Sequence, residues 1–248
     1  MAEGIAHKPS VNAPPSRVRT QAVQFSIIVP ALNEAAAIAV TLAKLAPLRS
    51  RGIEVIVVDG RSQDNTAEIA AAHADRVIVA ARGRAAQMNA GARVARGEVL
   101  LFLHADSLLP DDADGIIARA LDHRGRQWGR FDVRLSGQGW ALHMIETMMN
   151  WRSRVTGIAT GDQGMFVRRD AFELAGGFPE IALMEDIALS SRLRRHGRPA
   201  CLRDRIVTSS RRWENAGVLR TIALMWFLRL AFFLGVDPAR LARIYYGR

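Results

Sequence analysis

Short apolar runs alternate with helical segments through the first half of this chain, and that alternation limits the fold more than any other feature. The runs are Phe25–Val29, Glu54–Val58, Arg76–Ala80 and Val99–Leu103. Runs this short and this apolar are typical of strands buried on both faces of a parallel sheet. With helices predicted at 33–48, 66–73 and 84–95, the pattern predicts an α/β fold with a doubly wound, mostly parallel sheet.

His104 and Asp106 follow the last of these strands directly. The carboxyl edge of an open α/β sheet is where ligands bind, so both side chains are candidates for a ligand site. Residues two apart point the same way in an extended chain, and either side chain could then hold a divalent cation, Mg²⁺ or Mn²⁺. The alternative is that Asp106 and Ser107 only cap the helix predicted after Pro110.

Arginine supplies nearly all of the positive charge. The formal net charge is +10, and Lys8 and Lys44 are the only lysines among 34 basic residues. Arginine suits bidentate binding of phosphate or carboxylate, which favours phosphorylated substrates or an anionic membrane surface as partners. Nucleic acid is the least favoured partner, because the sequence contains no recognised nucleic-acid module. A general compositional bias towards arginine is the alternative explanation.

Composition also bounds the domain organisation. A chain of 248 residues, 49% of them hydrophobic, fits one large α/β domain, alone or with an appendage. Residues 1–24 contain several prolines and serines and are predicted to form a disordered arm without a signal peptide. The single cysteine, Cys201, excludes an internal disulfide framework and favours a reducing, cytoplasmic compartment.

The strand ends carry carboxylates where other nucleotide-binding folds carry glycine-rich phosphate loops. Neither G-x-G-x-x-G nor G-x-x-x-x-G-K-[ST] occurs at these strands, so a dehydrogenase or a P-loop enzyme is disfavoured. Glu34, Asp59 and Asp106 can instead bind nucleobase N–H groups, ribose hydroxyls, or a metal that in turn holds phosphates. Asn33 is predicted to be the N-cap of the first helix.

Four motifs in order give residues 25–115 a resemblance to the nucleotide-sugar-binding half of the inverting glycosyltransferases of family two. They are P-A-L-N-E from Pro30, V-D-G-R-S-Q-D-N-T from Val58, R-A-A-Q-M-N-A-G from Arg84 and H-A-D from His104. The resemblance implies a GT-A type fold, a nucleotide-diphospho-sugar donor with UDP favoured, and a divalent cation. Gly60 and His104 depart from the pattern, since the family usually has aspartate at both positions. The H-A-D-S form is similar to that of a small bacterial subgroup.

The family motifs imply roles for individual residues of this chain. Asp106 and His104 take the positions of metal ligands. The positions that match donor-binding residues are Pro30, Asn33, Glu34, Asp59, Ser62, Asp64, Arg84, Asn89, Ala105 and Arg212. Residues 209–213 resemble the Q-x-x-R-W element of processive members, in which Arg211 or Arg212 would hold the diphosphate. That element lacks its glutamine here, so a polymer synthase is disfavoured.

Residues 116–212 are predicted to complete a glycosyltransferase domain over 25–212 by forming its acceptor side. Gly161, Asp162 and Gln163 lie in a glycine-bounded loop. In the family, a similar loop lines the donor-sugar and acceptor site, whereas a plain turn is the alternative.

Glu185 and Asp186 begin an E-D-x-x-L-x-x-R-L pattern that is similar to one in the family. The resemblance implies that Asp186 is the general base, with Glu185 beside it. A helix N-cap is the alternative role for Asp186. The resemblance also implies that Trp213 stacks near the acceptor.

Residues 213–248 are predicted to form an apolar and basic helical tail. Its most apolar stretch, Val218–Val236, is interrupted by Arg220 and Arg229 and contains no uninterrupted run as long as a membrane span needs. Two interpretations of this stretch remain, a helix at the membrane interface and a helix packed on the core. The first would imply a lipid or membrane-surface acceptor and a peripheral position on the inner face of the cell membrane.

Sugar transfer from a nucleotide-diphospho-sugar to an acceptor hydroxyl, with inversion and metal assistance, is the function that the sequence favours. A nucleotidyltransferase acting on a sugar phosphate would need a basic, glycine-rich loop where this chain has P-A-L-N-E. The third hypothesis is a catalytically silent, membrane-associated nucleotide-binding protein. The carboxylates of Asp59, Asp106 and Asp186 argue against it.

Overall fold

A computed structural model describes residues 25–247 of the chain, apart from the side chains of Arg212, Asn215 and Ala216. The arm predicted for residues 1–24 and the predicted diphosphate contact of Arg212 therefore lie outside the described residues.

The described residues form one eight-stranded sheet with helices on both faces. The strands are β1 Phe25–Ala31, β2 Glu54–Asp59, β3 Arg76–Val79, β4 Val99–Phe102, β5 Ser107–Leu108, β6 Trp128–Leu135, β7 Met165–Arg168 and β8 Ala200–Thr208. The helices are α1 Ala35–Ser50, α2 Thr66–His73, α3 Arg84–Val94, α4 Ala113–Asp122, α5 Trp140–Thr156, α6 Arg169–Leu174, α7 Glu185–His196, α8 Arg211–Ala216, α9 Val218–Phe233 and α10 Pro238–Tyr246.

The strand order is β3-β2-β1-β4-β7-β6-β8-β5, and the pairing is mixed. The strands β3, β2, β1 and β4 are parallel neighbours, as the sequence predicts. The second half of the chain adds antiparallel pairs between β4 and β7, β7 and β6, and β8 and β5. Because β7 lies between β4 and β6, one sheet runs through both predicted halves, and the boundary at residue 115 stays a prediction.

Two hydrophobic layers enclose the sheet, which confirms the doubly wound arrangement. On one face, α1, α2, α4 and α5 bury side chains such as Leu42, Ile117 and Ile145. On the other face, α3, α6 and α7 bury Met88, Phe172 and Leu189 against the strands. The two layers leave the carboxyl ends of β1, β2 and β4 at one edge of the sheet.

The carboxy-terminal helices form a third cluster at the start of α7. Leu228 of α9 and Leu241 of α10 are fully buried, and they share this cluster with Ile158, Met184 and Ile187. One face of the predicted apolar stretch is therefore core-packed. The opposite face of α9 stays exposed and apolar, with large side chains at Leu219, Trp226, Phe227, Leu230, Phe233 and Leu234.

Within the described residues, no helix has the length and apolar character that a membrane crossing requires.

Three local expectations are wrong. The N-cap of α1 is Glu34, since Asn33 adopts a left-handed conformation with φ 55° just before it. Asp106 and Ser107 do not cap α4, whose N-cap is Asp112. The segment after β4 is a turn rather than extended chain, because the Ser107 N–H donates to the His104 carbonyl at 3.1 Å.

Candidate active site

Asp59 ends β2 at the carboxyl edge of the sheet and is almost completely buried. Its carboxylate accepts the Ser62 N–H at 3.0 Å. Beside it, the carboxamide of Gln87 donates to the carbonyls of Ala31 and Val58, both at 2.8 Å. A Cβ at residue 60 would lie only 3.0 Å from Gln87 Nε2, so Gln87 fills the space that a side chain there would need. This packing accounts for Gly60 in place of the second aspartate of the motif.

Three of the predicted donor-binding residues connect the loops after β1 and β2 to each other. The Asn33 N–H donates to Ser62 Oγ at 2.9 Å, and Asn33 Oδ1 accepts the Gln63 N–H at 2.8 Å. Asp64 Oδ2 accepts the Ala35 N–H at 3.1 Å, at the start of α1. These side chains hold the two loops in register, and donor contact by Asn33, Ser62 and Asp64 stays a prediction.

The turn after β4 separates the two predicted metal ligands. The carbonyl of Ala105 accepts the Thr41 hydroxyl at 2.7 Å, which fixes the turn to α1. His104 Nδ1 lies 3.3 Å from Asp162 Oδ1, on the second-half side of the edge. Asp106 Oδ2 lies 3.5 Å from Arg211 Nη2, on the opposite side. The expectation that His104 and Asp106 point the same way is therefore wrong.

Asp106 could hold a divalent cation that is shared with a substrate. Among residues 25–247, no group of three His, Cys, Asp or Glu side chains is arranged to hold a metal. The Asp106 side chain is 25% exposed, and Mg²⁺ in nucleotide sites is commonly held by one or two carboxylates plus phosphate oxygens. The His104 ring lies over Gly161 instead, since a Cβ there would lie 2.4 Å from His104 Nε2.

Arg211 of α8 joins the carboxy-terminal segment to the first half of the site. Its Nη2 atom lies 3.2 Å from Glu34 Oε2 and 3.5 Å from Asp106 Oδ2. The hydrogen bond to Glu34 raises the pKa of Arg211, with the charge of Asp106 adding to the effect. A fixed positive charge therefore lies between two carboxylates at the sheet edge.

Glu185 and Asp186 point in different directions from the first turn of α7. Met184, with φ 71°, is the residue before the helix, so the N-cap role considered for Asp186 is wrong. Asp186 Oδ2 accepts the Gly161 N–H at 2.7 Å and is partly exposed at the edge. Glu185 is buried, and its Oε1 atom lies 2.8 Å from Arg84 Nε.

The Arg84–Glu185 ion pair joins α3 to α7 across the site. Burial raises the pKa of Glu185, the charge of Arg84 opposes the rise, and Asp186 adds to it. Burial lowers the pKa of Arg84, but the charges of Glu185 and Asp186 outweigh that effect, and its pKa is raised overall. Arg84 therefore keeps its charge and serves first as the counter-ion of Glu185.

The remaining predicted residues have mainly structural contacts. Gln163 is fully buried, and its Oε1 atom accepts the Thr160 N–H at 3.2 Å. Asn89 donates to the Phe178 carbonyl at 2.8 Å and accepts the Phe178 N–H at 3.0 Å. Trp213 packs, partly buried, against the core. Donor or acceptor contact by these three residues stays a prediction.

Pro30 lies within β1, buried in the sheet. Its predicted donor contact is untested and stays a prediction.

Sequence reasoning missed two arginines beside Asp186. Burial lowers the pKa of Arg152 in α5 and of Arg229 in α9, and the charges of Asp186 and Asp162 oppose that effect. Arg229 entered the sequence argument only as an interruption of an apolar stretch. The available signal was an isolated arginine inside an apolar helix, because a charge that packs into a protein interior needs a partner.

Comparison with known proteins gives a family match over most of the sheet. The model described as "Glycosyl transferase family 2" matches residues 26–174. Relatives from Mycobacterium bovis and Mycobacterium tuberculosis, both described as PGL/p-HBAD biosynthesis glycosyltransferase, are 39% identical over 95 residues. The matched region covers 36% of this chain and spans only 37% of the length of these curated relatives.

Solved structures share the fold at low sequence identity. Staphylococcus aureus TarS 1–349 is 20% identical with a TM-score of 0.60, covering 75% of this chain and 60% of that chain. The mannosyltransferase PcManGT from Pyrobaculum calidifontis, in complex with GDP-Man and Mn²⁺, is 24% identical with a TM-score of 0.57 and covers 76% and 57%. Glucosyl-3-phosphoglycerate synthase from Mycobacterium tuberculosis, with UDP and Mn²⁺, is 17% identical with a TM-score of 0.55 and covers 75% and 70%.

Substituting Glu185 tests how much the Arg84–Glu185 ion pair contributes to stability. Glu185→Gln leaves the Arg84 guanidinium without its counter-charge, and we expect the free energy of unfolding to fall by about 2 kcal/mol. Asp111→Asn is the matched control, since it breaks the exposed Lys44–Asp111 pair and should lower the free energy of unfolding much less. Urea denaturation of both variants measures the difference, and equal losses would contradict this role of Glu185.

Proposed function

Because the chain belongs to glycosyl transferase family 2, we propose that it transfers a sugar from a nucleotide-diphospho-sugar to an acceptor hydroxyl, with inversion at the anomeric carbon. The observation that carries the proposal is the position of Asp186. Its side chain is partly exposed beside the carboxyl edge of the sheet, the edge at which Asp59 and Asp106 also lie. We also propose that the H-A-D-S form assigns the chain to a small bacterial subgroup of the family.

The nucleoside half of the donor is proposed to bind between Asp59 and Glu34, whose carboxylates suit base N–H groups and ribose hydroxyls. UDP is the favoured nucleotide, in line with the structures of TarS with UDP-GlcNAc and with UDP. The mannosyltransferase PcManGT was solved with GDP-Man, so proteins of this fold also bind a guanine nucleotide. The uridine preference therefore rests on the family resemblance.

Asp186 is proposed as the general base. Its Oδ2 atom is fixed by the Gly161 N–H, which orients the carboxylate beside the edge. The base would take the proton of the acceptor hydroxyl as that oxygen attacks the anomeric carbon, and the nucleoside diphosphate would leave in the same step. Glu185 is proposed as a positioning residue, because it is buried against Arg84 and fixes the start of α7.

Charge on the leaving diphosphate is proposed to be balanced from the Asp106 side. Arg211 lies within 3.5 Å of Asp106 and can turn to phosphate oxygens when the donor binds. When Mg²⁺ or Mn²⁺ is bound, Asp106 would hold it, and the ion would add charge stabilisation to the diphosphate. Two of the solved neighbours contain Mn²⁺ together with a nucleotide or nucleotide sugar, which supports a divalent cation here.

The two other hypotheses receive less support. A nucleotidyltransferase would hold a triphosphate with basic residues after β1, where this chain has the sequence P-A-L-N-E. A silent binding protein would have no use for a carboxylate as well oriented as that of Asp186. Hydrolysis of a UDP-sugar in the absence of acceptor would distinguish an enzyme from a silent protein.

Peripheral membrane association, with a lipid or membrane-surface acceptor, is proposed from the exposed face of α9. Trp226 and Phe227 are each more than half exposed, and Trp140 and Trp151 of α5 add further exposed aromatic surface. Exposed aromatic and aliphatic side chains together with a net charge of +10 suit an anionic bilayer surface.

Asp186→Asn tests the assignment of the base. The variant keeps the shape of the side chain but loses the proton acceptor, so we expect normal folding, near-native donor affinity, and sugar transfer at least about 100-fold slower. Asp204→Asn, an exposed carboxylate on β8, is the control and should be unchanged. Turnover and melting temperature are measured together, and near-native turnover of Asp186→Asn would remove Asp186 as the base.

Asp106→Ala and His104→Ala test the metal assignment as a pair. Asp106→Ala removes the one carboxylate suited to the cation, so Mn²⁺-dependent binding of UDP should be lost. His104→Ala should keep that Mn²⁺ dependence, because its ring pairs with Asp162 instead. Calorimetry of UDP with and without Mn²⁺ makes the comparison, and the opposite pattern would contradict this arrangement.

Binding to lipid vesicles tests the membrane proposal. The protein should pellet with vesicles containing phosphatidylglycerol at low salt and be released as salt rises, since exposed charge attraction is screened. Phe227→Ser with Leu230→Ser should weaken the binding. Full retention in the supernatant at low salt would leave α9 as a packing helix alone.

A further inference from the structure

Arg152 and Arg229, here called the arginine pair, lie on the second-half side of the site, beside the proposed base. Arg229 follows Leu228, which is fully buried in the cluster with Met184 and Ile187 at the start of α7. That packing brings this part of α9 to the start of α7. Arg152 projects from α5, and the charge of Arg229 acts directly on it.

Arg152 presents hydrogen-bond donors that nothing in the described chain satisfies. Its Nε and Nη2 atoms are buried and have no hydrogen-bond partner among the described residues. Leaving charged donors buried and unpaired destabilises the fold, so such an arrangement points to a ligand. The nearby Arg130 does have a partner, because it forms a buried ion pair with Asp132.

Burial outweighs the effect of the nearby carboxylates on the arginine pair. Burial and the charge of Arg229 lower the pKa of Arg152 to about 10, although Asp186 and Asp162 act in the opposite direction. Burial likewise lowers the pKa of Arg229 against the same two carboxylates. Asp186 accepts hydrogen bonds from the N–H groups of Gly161 and Ile187. Two positive charges therefore lie close together, and a bound anion would stabilise both of them.

The diphosphate of the donor is a poor candidate for that anion. The proposed diphosphate position is on the side of Asp106, where Arg211 also contacts Glu34. The carboxylates that act on the pKa of Arg229 are Asp186 and Asp162, and neither Glu34 nor Asp106 is among them. The arginine pair therefore interacts with Asp186 and Asp162 rather than with the groups proposed to hold the diphosphate.

We propose that Arg152 and Arg229 bind a phosphate group of the acceptor and so place the acceptor hydroxyl at Asp186. Two guanidinium groups match the double charge and the oxygen geometry of a phosphomonoester. This inference rests on the proposed sugar transfer, since it names the acceptor class of the same site. The phosphate belongs either to a small phosphorylated hydroxy compound or to a lipid that carries both a phosphomonoester and a free hydroxyl.

Calorimetry with two probes tests the proposal and distinguishes these sources. Glycerol 3-phosphate represents the soluble phosphomonoester, and hexanoyl lysophosphatidic acid, which keeps a free hydroxyl, represents the lipid one. Either probe should bind the full chain, and Arg229→Gln and Arg152→Gln should each weaken the tighter of the two by about tenfold or more. Arg152→Lys keeps the charge and should retain part of the affinity, which guards against a folding defect in Arg152→Gln.

Arg220→Gln is the matched control, because it removes an exposed arginine from the same helix as Arg229 and should leave phosphate binding unchanged. UDP titrated with Mn²⁺ gives an independent readout that all these variants should leave within about twofold. Failure of UDP to bind the wild-type chain would contradict the proposed function instead. Equal phosphate affinity in wild type, Arg152→Gln and Arg229→Gln would overturn the acceptor proposal. Variants that lose UDP binding but keep phosphate binding would overturn it as well.

Discussion

The ion pair between Arg84 and the buried Glu185 carboxylate is the interaction on which the start of α7 depends. The two charges come from opposite halves of the chain, and they lie 2.8 Å apart. A second link, from Asn89 of the same helix to both backbone groups of Phe178, holds the turn before α7. Because α3 itself packs closely on β1 and β2, where Gly91 leaves no room for a side chain, the start of α7 is fixed to the parallel strands. Asp186 thereby lies at the edge next to Glu185.

The turn at His104 divides the edge into two electrostatic regions. Glu34, Asp106 and Arg211 form one region on the nucleotide side. His104 and Asp162 form the other, together with the loop that donates to Asp186. The ring of His104 packs over Gly161, whose N–H donates to Asp186.

The carboxy-terminal helices extend the site as well as the core. Arg211 reaches the nucleotide side from α8, and Arg229 reaches the proposed base from α9. One face of α9 packs at the start of α7, while its opposite face exposes aromatic and aliphatic side chains. The carboxy-terminal segment thus places residues at the proposed catalytic edge and also presents an exposed apolar surface. An acceptor with a phosphate group would fit both properties of this segment.

The sequence by itself determined the parallel half of the sheet, the helix over Thr66–His73, and the strand ends that carry Asp59 and the H-A-D motif. Those features follow from local periodicity and strand direction, which neighbouring residues decide. Only the tertiary structure decided that Asn33 and Asp64 link two loops, that His104 turns away from Asp106, and that two arginines lie beside Asp186. These depend on contacts between segments far apart in the chain, and no local pattern specifies the partner of a buried polar side chain.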